Sequence, residues 1–289
     1  MSISRQNLSV VIVTLKSEKI INRCIDSIGQ NISIIVVENS NNMKFKQDLE
    51  SKYQNLKCIL SGSNLGMGAG NNIGIKAAST DYVFILNPDV TLENDTLDRI
   101  INASKKISEF SILSPINTDK NFPNYKSNKD MQNQTEPFKV DYVDGFSMLL
   151  NKNKFKDGNF FDEKFFLYLE NNDLCIKAKM NGGSVYIVPE AKINHDGSNA
   201  VDEKYKNEIE LSRNWHWIWS KFYFNKKNFG FFKAITECFP TYISSLIKFL
   251  FYLLIRNNFK KKIYLNRISG FYNAFIGKSS WYRPKIDNY

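Results

Sequence analysis

Asp89, Glu170, Asp173 and His195 are the residues whose type and setting could do chemistry. Asp89 closes the tripeptide Asn87-Pro88-Asp89, directly after the apolar run 82–86. A carboxylate at the end of a buried strand can reach a divalent cation, and hard oxygen ligands suit Mg²⁺ or Mn²⁺. The same tripeptide is also a common turn. Glu170 and Asp173 follow the aromatic segment 165–169 and stand three apart. On a helix they lie on one face near its N-terminus, where acids also serve simply as partners of the helix dipole. His195 is one of two histidines, either a ligand or a structural imidazole.

A glycine-rich run, Asn64-Leu65-Gly66-Met67-Gly68-Ala69-Gly70-Asn71-Asn72-Ile73-Gly74, offers a further site. The dinucleotide fingerprint fails, because Asn71 stands where its last glycine is required, and the run follows the third strand rather than the first. A phosphate loop fails as well, since no Gly-Lys-Ser/Thr closes the run. Two readings stay open. Either the backbone approaches a ligand, such as a phosphate at a helix N-terminus, or a tight turn packs a helix on a strand.

The elements that must position these residues alternate in type. Residues 9–15 are β-branched and continuous, as a strand buried on both faces should be. Residues 18–28 carry apolar side chains at helical spacing. Strands follow at 32–37, 56–60, 82–86 and 110–113, with helices at 45–53, through 78, and at 96–107. This alternation predicts a mostly parallel sheet with helices on both faces, and ligands then collect beyond the carboxyl ends of the strands. The polar clusters after strands two, three and four fall there. Residues 117–137 read as a long surface loop. Regular structure resumes at 140–150, 160–169, a helix over 170–180 and a strand over 184–188.

The 289 residues are 43% hydrophobic, too apolar for a disordered chain. Four cysteines are scattered singly, which excludes a disulfide scaffold and a cysteine zinc cluster and fits a reducing cytosol. The net charge of +10 is uneven. Residues 221–289 hold thirteen Lys and Arg against two acids, while the first 220 residues are about neutral. A nucleic-acid-binding domain would carry that charge on its main body, so no nucleic-acid partner is expected. No secretory signal opens the sequence; residues 8–15 are a strand. The run Phe239-Pro240-Thr241-Tyr242-Ile243-Ser244-Ser245-Leu246-Ile247-Lys248-Phe249-Leu250-Phe251-Tyr252-Leu253-Leu254-Ile255 is nearly all apolar, and Arg256, Lys260, Lys261 and Lys262 follow it. It is short for a spanning helix. An aromatic and basic segment of this kind settles at a lipid interface, the alternative being a buried core helix. Two regions are therefore expected: 1–215, and a basic, aromatic-rich helical extension at 216–289.

Taken in order, the motifs resemble the family 2 glycosyltransferases of GT-A fold, in their rhamnosyltransferase-like branch, over about residues 8–200. Val36-Val37-Glu38-Asn39-Ser40 is similar to V-V-D-N-x-S, and 64–74 to N-x-G-x-x-x-G-x-N-x-G. Leu86-Asn87-Pro88-Asp89-Val90 matches L-N-P-D-V, this branch's version of the metal-binding D-x-D. Phe166-Leu167-Tyr168-Leu169-Glu170-Asn171-Asn172-Asp173-Leu174-Cys175 is similar to F-x-Y-x-E-D-x-D-L-C.

The resemblance implies a Rossmann-like nucleotide-binding mixed sheet and an inverting transfer from a nucleotide-sugar, dTDP-L-rhamnose favoured. The acceptor implied is a glycan or a polyprenyl-diphosphate-linked glycan, at the cytoplasmic face of a bacterial inner membrane. Thr14, Glu38, Asn39, Asn64, Gly66, Asn71, Asn87, Asp144 and Gly145 would hold the donor, and Asp89 and His195 the Mg²⁺ or Mn²⁺. Glu170 would be the general base, with Asp173 sharing that work. Two residues depart from the pattern: Glu38 replaces Asp, and Asn171, which cannot accept a proton, replaces the Asp beside Glu170. A non-catalytic nucleotide-sugar or glycan-binding protein keeping the fold is the alternative.

Overall fold

The computed structural model describes residues 3–107, 109–127, 134–155, 158–197 and 201–286. Its first half is built from β1 (Leu8–Thr14), α1 (Ile21–Ile28), β2 (Ser33–Glu38), α2 (Met43–Lys52), β3 (Leu56–Leu60), α3 (Met67–Ala77) and β4 (Tyr82–Leu86). Strands β3-β2-β1-β4 pair in parallel in that order. Side chains alternate across a strand. Val10 and Ile12 of β1 therefore enter one buried cluster, with Ile21 and Cys24 of α1, while Val11 and Val13 enter the opposite one with Ile75 of α3. Every residue of β1 is buried, as its sequence required.

The second half makes the sheet mixed. It comprises β5 (Val90–Leu92), α4 (Thr96–Lys106), β6 (Phe110–Asn117), β7 (Tyr125–Lys126), β8 (Phe138–Lys139), β9 (Tyr142–Val143), β10 (Ser147–Asn151), α5 (Glu170–Met180) and β11 (Ser184–His195). The order continues β4-β10-β6-β11-β5, with β10 antiparallel to both neighbours and β8 pairing on β11. The expected long loop holds the short β7, which pairs with β9, and its residues 128–133 lie outside the described residues. The segment expected over 140–150 divides into β9 and β10 around a turn carrying Asp144 and Gly145. Strand β11 outruns the expected 184–188 by seven residues, and β5 was not expected. The two pair antiparallel, with His195 opposite Val90, and that register sets His195 beside Asp89.

Three helices complete the chain: α6 (Lys206–Phe229), α7 (Phe231–Leu254) and α8 (Asn258–Phe275). They share a third cluster around Trp215, Trp219, Phe222, Cys238 and Phe271. The boundary expected at 215/216 falls inside α6. Helix α7 buries only Ala234, Cys238 and Ser245. Among the described residues, no helix is long and apolar enough to cross a membrane.

Candidate active site

A cavity of about 550 Å³ opens at the carboxyl ends of β1, β2 and β4. It gathers Thr14, Asn39, Asn64, Gly66, Asn71, Asn87, Asp144, Gly145 and Glu170 from distant parts of the sequence. The Asn39 backbone N–H donates to the Thr14 carbonyl at 2.9 Å, and Asn39 Nδ2 to the Gly66 carbonyl at 3.1 Å. Asn64 Oδ1 accepts from the Gly66 N–H at 3.2 Å, turning the chain into α3. Gly66 has φ +85°, and a β-carbon there would fall 2.2 Å from the Phe166 carbonyl oxygen, so only glycine fits. Gly70 and Gly74 instead let α3 lie directly on Val13 and Val11 of β1. The glycine-rich run thus serves both helix packing and the cavity floor.

Polar atoms without protein partners cluster here. Asn39 Oδ1, Asn71 Oδ1, Asn87 Oδ1, Glu170 Oε2 and Ser212 Oγ are buried without a hydrogen bond, and all five residues line the cavity. Orphaned buried acceptors are rare in folded proteins because each forfeits solvation. Several around one cavity leave acceptors there for a polar ligand to satisfy.

Glu170 begins α5 behind two left-handed residues, Tyr168 (φ 71°) and Leu169 (φ 66°). Gly68 of α3 faces this turn: a β-carbon there would lie 3.2 Å from Phe161 Cβ and in ordinary contact, at 3.6 Å, with Glu170 Cβ. Burial pushes the Glu170 carboxyl up to about 7, with its own backbone N–H opposing. The neighbouring departure from the family pattern has a local role: Asn171 Nδ2 donates to the Val143 carbonyl at 2.8 Å, tying α5 to β9. A carboxylate could not donate that bond.

Asp173 shares no cavity wall with Glu170. Its Oδ2 meets Lys227 Nζ at 2.7 Å and its Oδ1 accepts from Asn228 Nδ2 at 3.0 Å, so its charge fastens α5 to the end of α6. Glu38 also lies outside the cavity lining. Ser40 donates to its Oε1 through both N–H and hydroxyl, and the Asn42 N–H donates to Oε2 at 2.7 Å. Its carboxylate, buried at the end of β2, holds the turn whose Asn39 reaches the cavity.

Asp89 is buried, and its Oδ1, free of hydrogen bonds, lies 3.4 Å from His195 Nε2. The imidazole stacks on Phe146 with centroids 3.9 Å apart. Burial raises the Asp144 carboxyl above its ordinary value, with the nearby His195 opposing. An unpartnered carboxylate oxygen beside an imidazole nitrogen is a fitting donor pair for a divalent ion. Among the described residues, no group of three or more His, Cys, Asp and Glu is gathered that could hold a metal by protein donors alone.

Sequence reasoning named no residue of the cavity's outer wall, and its expected boundary at 215/216 separates Trp217 from the other three residues there. Ile209, Ser212, Arg213 and Trp217 of α6 line the cavity opposite the sheet. Helix α6 also clamps the segment before Glu170: Ser220 Oγ donates to the Leu167 carbonyl at 2.7 Å, and His216 packs on Phe166 at 4.5 Å. Buried His216 is pushed down to about 4, so it packs there as the neutral imidazole. The spacing 209, 212, 213, 217 is a helical face, but only the fold tells that it meets the site.

A mixed sheet whose parallel half ends in a cavity edged by unpartnered side-chain oxygens matches the GT-A architecture. Residues 9–171 match the sequence model of glycosyl transferase family 2, and the chain belongs to that family. It is therefore a glycosyltransferase. A low-salt glycan biosynthesis hexosyltransferase of Haloferax volcanii, Agl10, is 24% identical, over 89% of this chain and 86% of that protein. The N-acetylglucosaminyl-diphospho-decaprenol L-rhamnosyltransferase of Mycobacterium tuberculosis is 23% identical, over 67% and 77%. Among solved structures, the mannosyltransferase PcManGT from Pyrobaculum calidifontis, in complex with GDP-Man and Mn²⁺, shares the fold with TM-score 0.57. It is 11% identical and is covered over 86% of its length, against 93% of this chain.

Proposed function

We propose that the protein transfers a sugar, with inversion, from a nucleotide-sugar to a hydroxyl of a glycan or polyprenyl-diphosphate-linked acceptor. dTDP-L-rhamnose is the first donor to test, a choice supported by the rhamnosyltransferase relative. The observation that carries the reading is the Glu170 carboxylate: buried, with one oxygen unpartnered in the cavity, and raised to about 7. A base with its pKa near the working pH is both ionised and able to hold the proton it takes.

In the step, the acceptor oxygen attacks the anomeric carbon while its proton passes to Glu170. The bond from that carbon to the diphosphate oxygen breaks, and its electron pair leaves with the nucleotide diphosphate. Attack from the opposite face inverts the centre. The orphaned carbonyl oxygens of Asn39, Asn71 and Asn87 ask for O–H or N–H donors, which ribose, sugar and base supply. Thr14, Asn64, Gly66, Asp144 and Gly145 complete the donor wall. Asp89 and His195 would hold Mg²⁺ or Mn²⁺, which when bound neutralises charge on the leaving diphosphate as a Lewis acid.

A panel of nucleotide-sugars with Mn²⁺ tests this, scored by hydrolysis or transfer and by thermal stabilisation. dTDP-L-rhamnose is expected to turn over fastest, with the product's anomeric configuration opposite to the donor's by NMR. Binding without turnover of any donor would establish the non-catalytic alternative, and retention would remove the base role.

The reading extends to the membrane, where a lipid-linked acceptor is presented. Phe232, Phe239, Ile243, Ile247, Leu250 and Leu254 recur every three, four or seven residues along α7 and are exposed. Exposed Lys248, Arg256, Lys260 and Lys262 flank this stripe. An apolar helix face beside a basic cluster suits the cytoplasmic surface of an anionic bilayer, at roughly 1 kcal/mol per basic side chain. The full chain should sediment with phosphatidylglycerol vesicles at low salt, and Lys260→Glu with Lys262→Glu should cut that partition about tenfold or more. Equal recovery with and without anionic vesicles would sink the membrane reading. Point changes suit this test better than removal of α7 and α8, because those helices bury Trp215, Trp219 and Phe222 of α6, the helix that also walls the cavity.

A further inference from the structure

The donor reading leaves the α6 wall of the cavity unused. Of three neighbouring indoles on this helix, Trp215 and Trp219 are buried in the helical cluster, whereas Trp217 lies 42% exposed and lines the cavity. Trp217 stands edge-on to Tyr168, centroids 5.4 Å apart at 89°, two residues before Glu170 in sequence. One turn earlier, Arg213 lines the same cavity, close enough to Tyr168 to influence its phenol. Among the described residues Arg213 makes no ion pair. Glu210, three residues before it, is engaged by Asn214 Nδ2 at 2.7 Å. Between them Ser212 is 2% exposed, with its hydroxyl oxygen unpartnered.

These groups have a common ligand chemistry. An indole beside a cavity offers a flat apolar surface to the C–H face of a pyranose. A buried hydroxyl without a partner asks for a polar group from outside the chain. An arginine with no carboxylate of its own presents a planar fork to an anion such as a diphosphate. We propose that this face of α6 is the acceptor subsite: Trp217 stacks the acceptor sugar, Ser212 bonds one of its hydroxyls, and Arg213 takes the diphosphate that joins it to its carrier. The sugar hydroxyl is then presented to Glu170 from the side opposite the donor wall. This assignment rests on the transfer reading, and its test is a binding measurement that does not require turnover.

Two probes are titrated into the protein saturated with dTDP: farnesyl-diphosphate-linked N-acetylglucosamine, and octyl N-acetylglucosaminide, which lacks the diphosphate. Arg213→Gln should weaken the first probe about tenfold or more and leave the second unchanged. Trp217→Ala should weaken both by several-fold, and Trp217→Phe should restore most of that loss. The affinity for dTDP should stay at the wild-type level in all three variants. A loss of dTDP affinity in Arg213→Gln would overturn the assignment by giving Arg213 to the donor. Wild-type binding of both probes by both Arg213→Gln and Trp217→Ala, or binding of neither probe by the wild type, would overturn it too. Probe binding as expected, without turnover of any nucleotide-sugar, would instead defeat the transfer reading and leave the subsite standing.

Discussion

Glu170→Gln is expected to lower the transfer rate by about two to four orders of magnitude while nucleotide-sugar affinity stays near wild type. Glutamine keeps the size and much of the hydrogen bonding of glutamate but cannot take a proton. In the wild type the rate should rise with pH up to about 7 and level off above it, since only the ionised carboxylate is a base. The variant should lose that rise. Stability carries the same signature with the opposite slope. Burial raises the folded-state value above the ordinary 4.5, so between these two values the folded protein binds the proton more tightly than the unfolded chain. The contribution is fully present below 4.5 and is lost as pH rises through about 7. Glu170→Gln should therefore melt above the wild type at pH 8 and close to it at pH 4. Asp173→Asn at unchanged stability is the comparison that matters. If it abolishes transfer while Glu170→Gln does not, the base is Asp173.

The parallel half of the fold was legible because its signals are local. A buried parallel strand is a continuous β-branched run, and the left-handed turn into α3 needs a glycine at Gly66 even before Phe166 packs against it. The site residues on strand ends were legible for the same reason: a polar cluster after an apolar run lies at a carboxyl edge. Roles fixed by a distant partner were not. Glu170 and Asp173 look equivalent on a helical wheel, yet Lys227, 54 residues onward, claims one of them. Asn171 reads as a weakened acid until the Val143 carbonyl is found opposite its amide. Glu38 reads as a donor ligand until its oxygens are traced to Ser40 and Asn42. The proximity of His195 to Asp89 depends on a three-residue strand, Val90–Leu92, too short to carry a periodic signal. The α6 wall escaped because its tryptophans differ in exposure, not in spacing.

Asp89→Ala is expected to abolish transfer and to remove any tightening of nucleotide diphosphate binding by Mn²⁺. Asp89 is the charged member of the donor pair, buried with one carboxylate oxygen left unpartnered next to His195 Nε2. A neutral imidazole contributes a lone pair but no charge against a divalent ion, so His195→Ala should weaken the metal dependence less severely, water or phosphate oxygens filling its place. A buried carboxylate oxygen without a partner also costs stability until a cation arrives. Asp89→Asn should accordingly melt at or above the wild type in chelator, yet show none of the rise in melting temperature that Mn²⁺ with dTDP gives the wild type. Melting and turnover fail separately here, so a misfolded variant is distinguished from a metal-blind one. Undiminished wild-type turnover in excess chelator would remove the metal from the reaction, leaving the Asp89–His195 contact as the polar joint that fastens β11 to the end of β4.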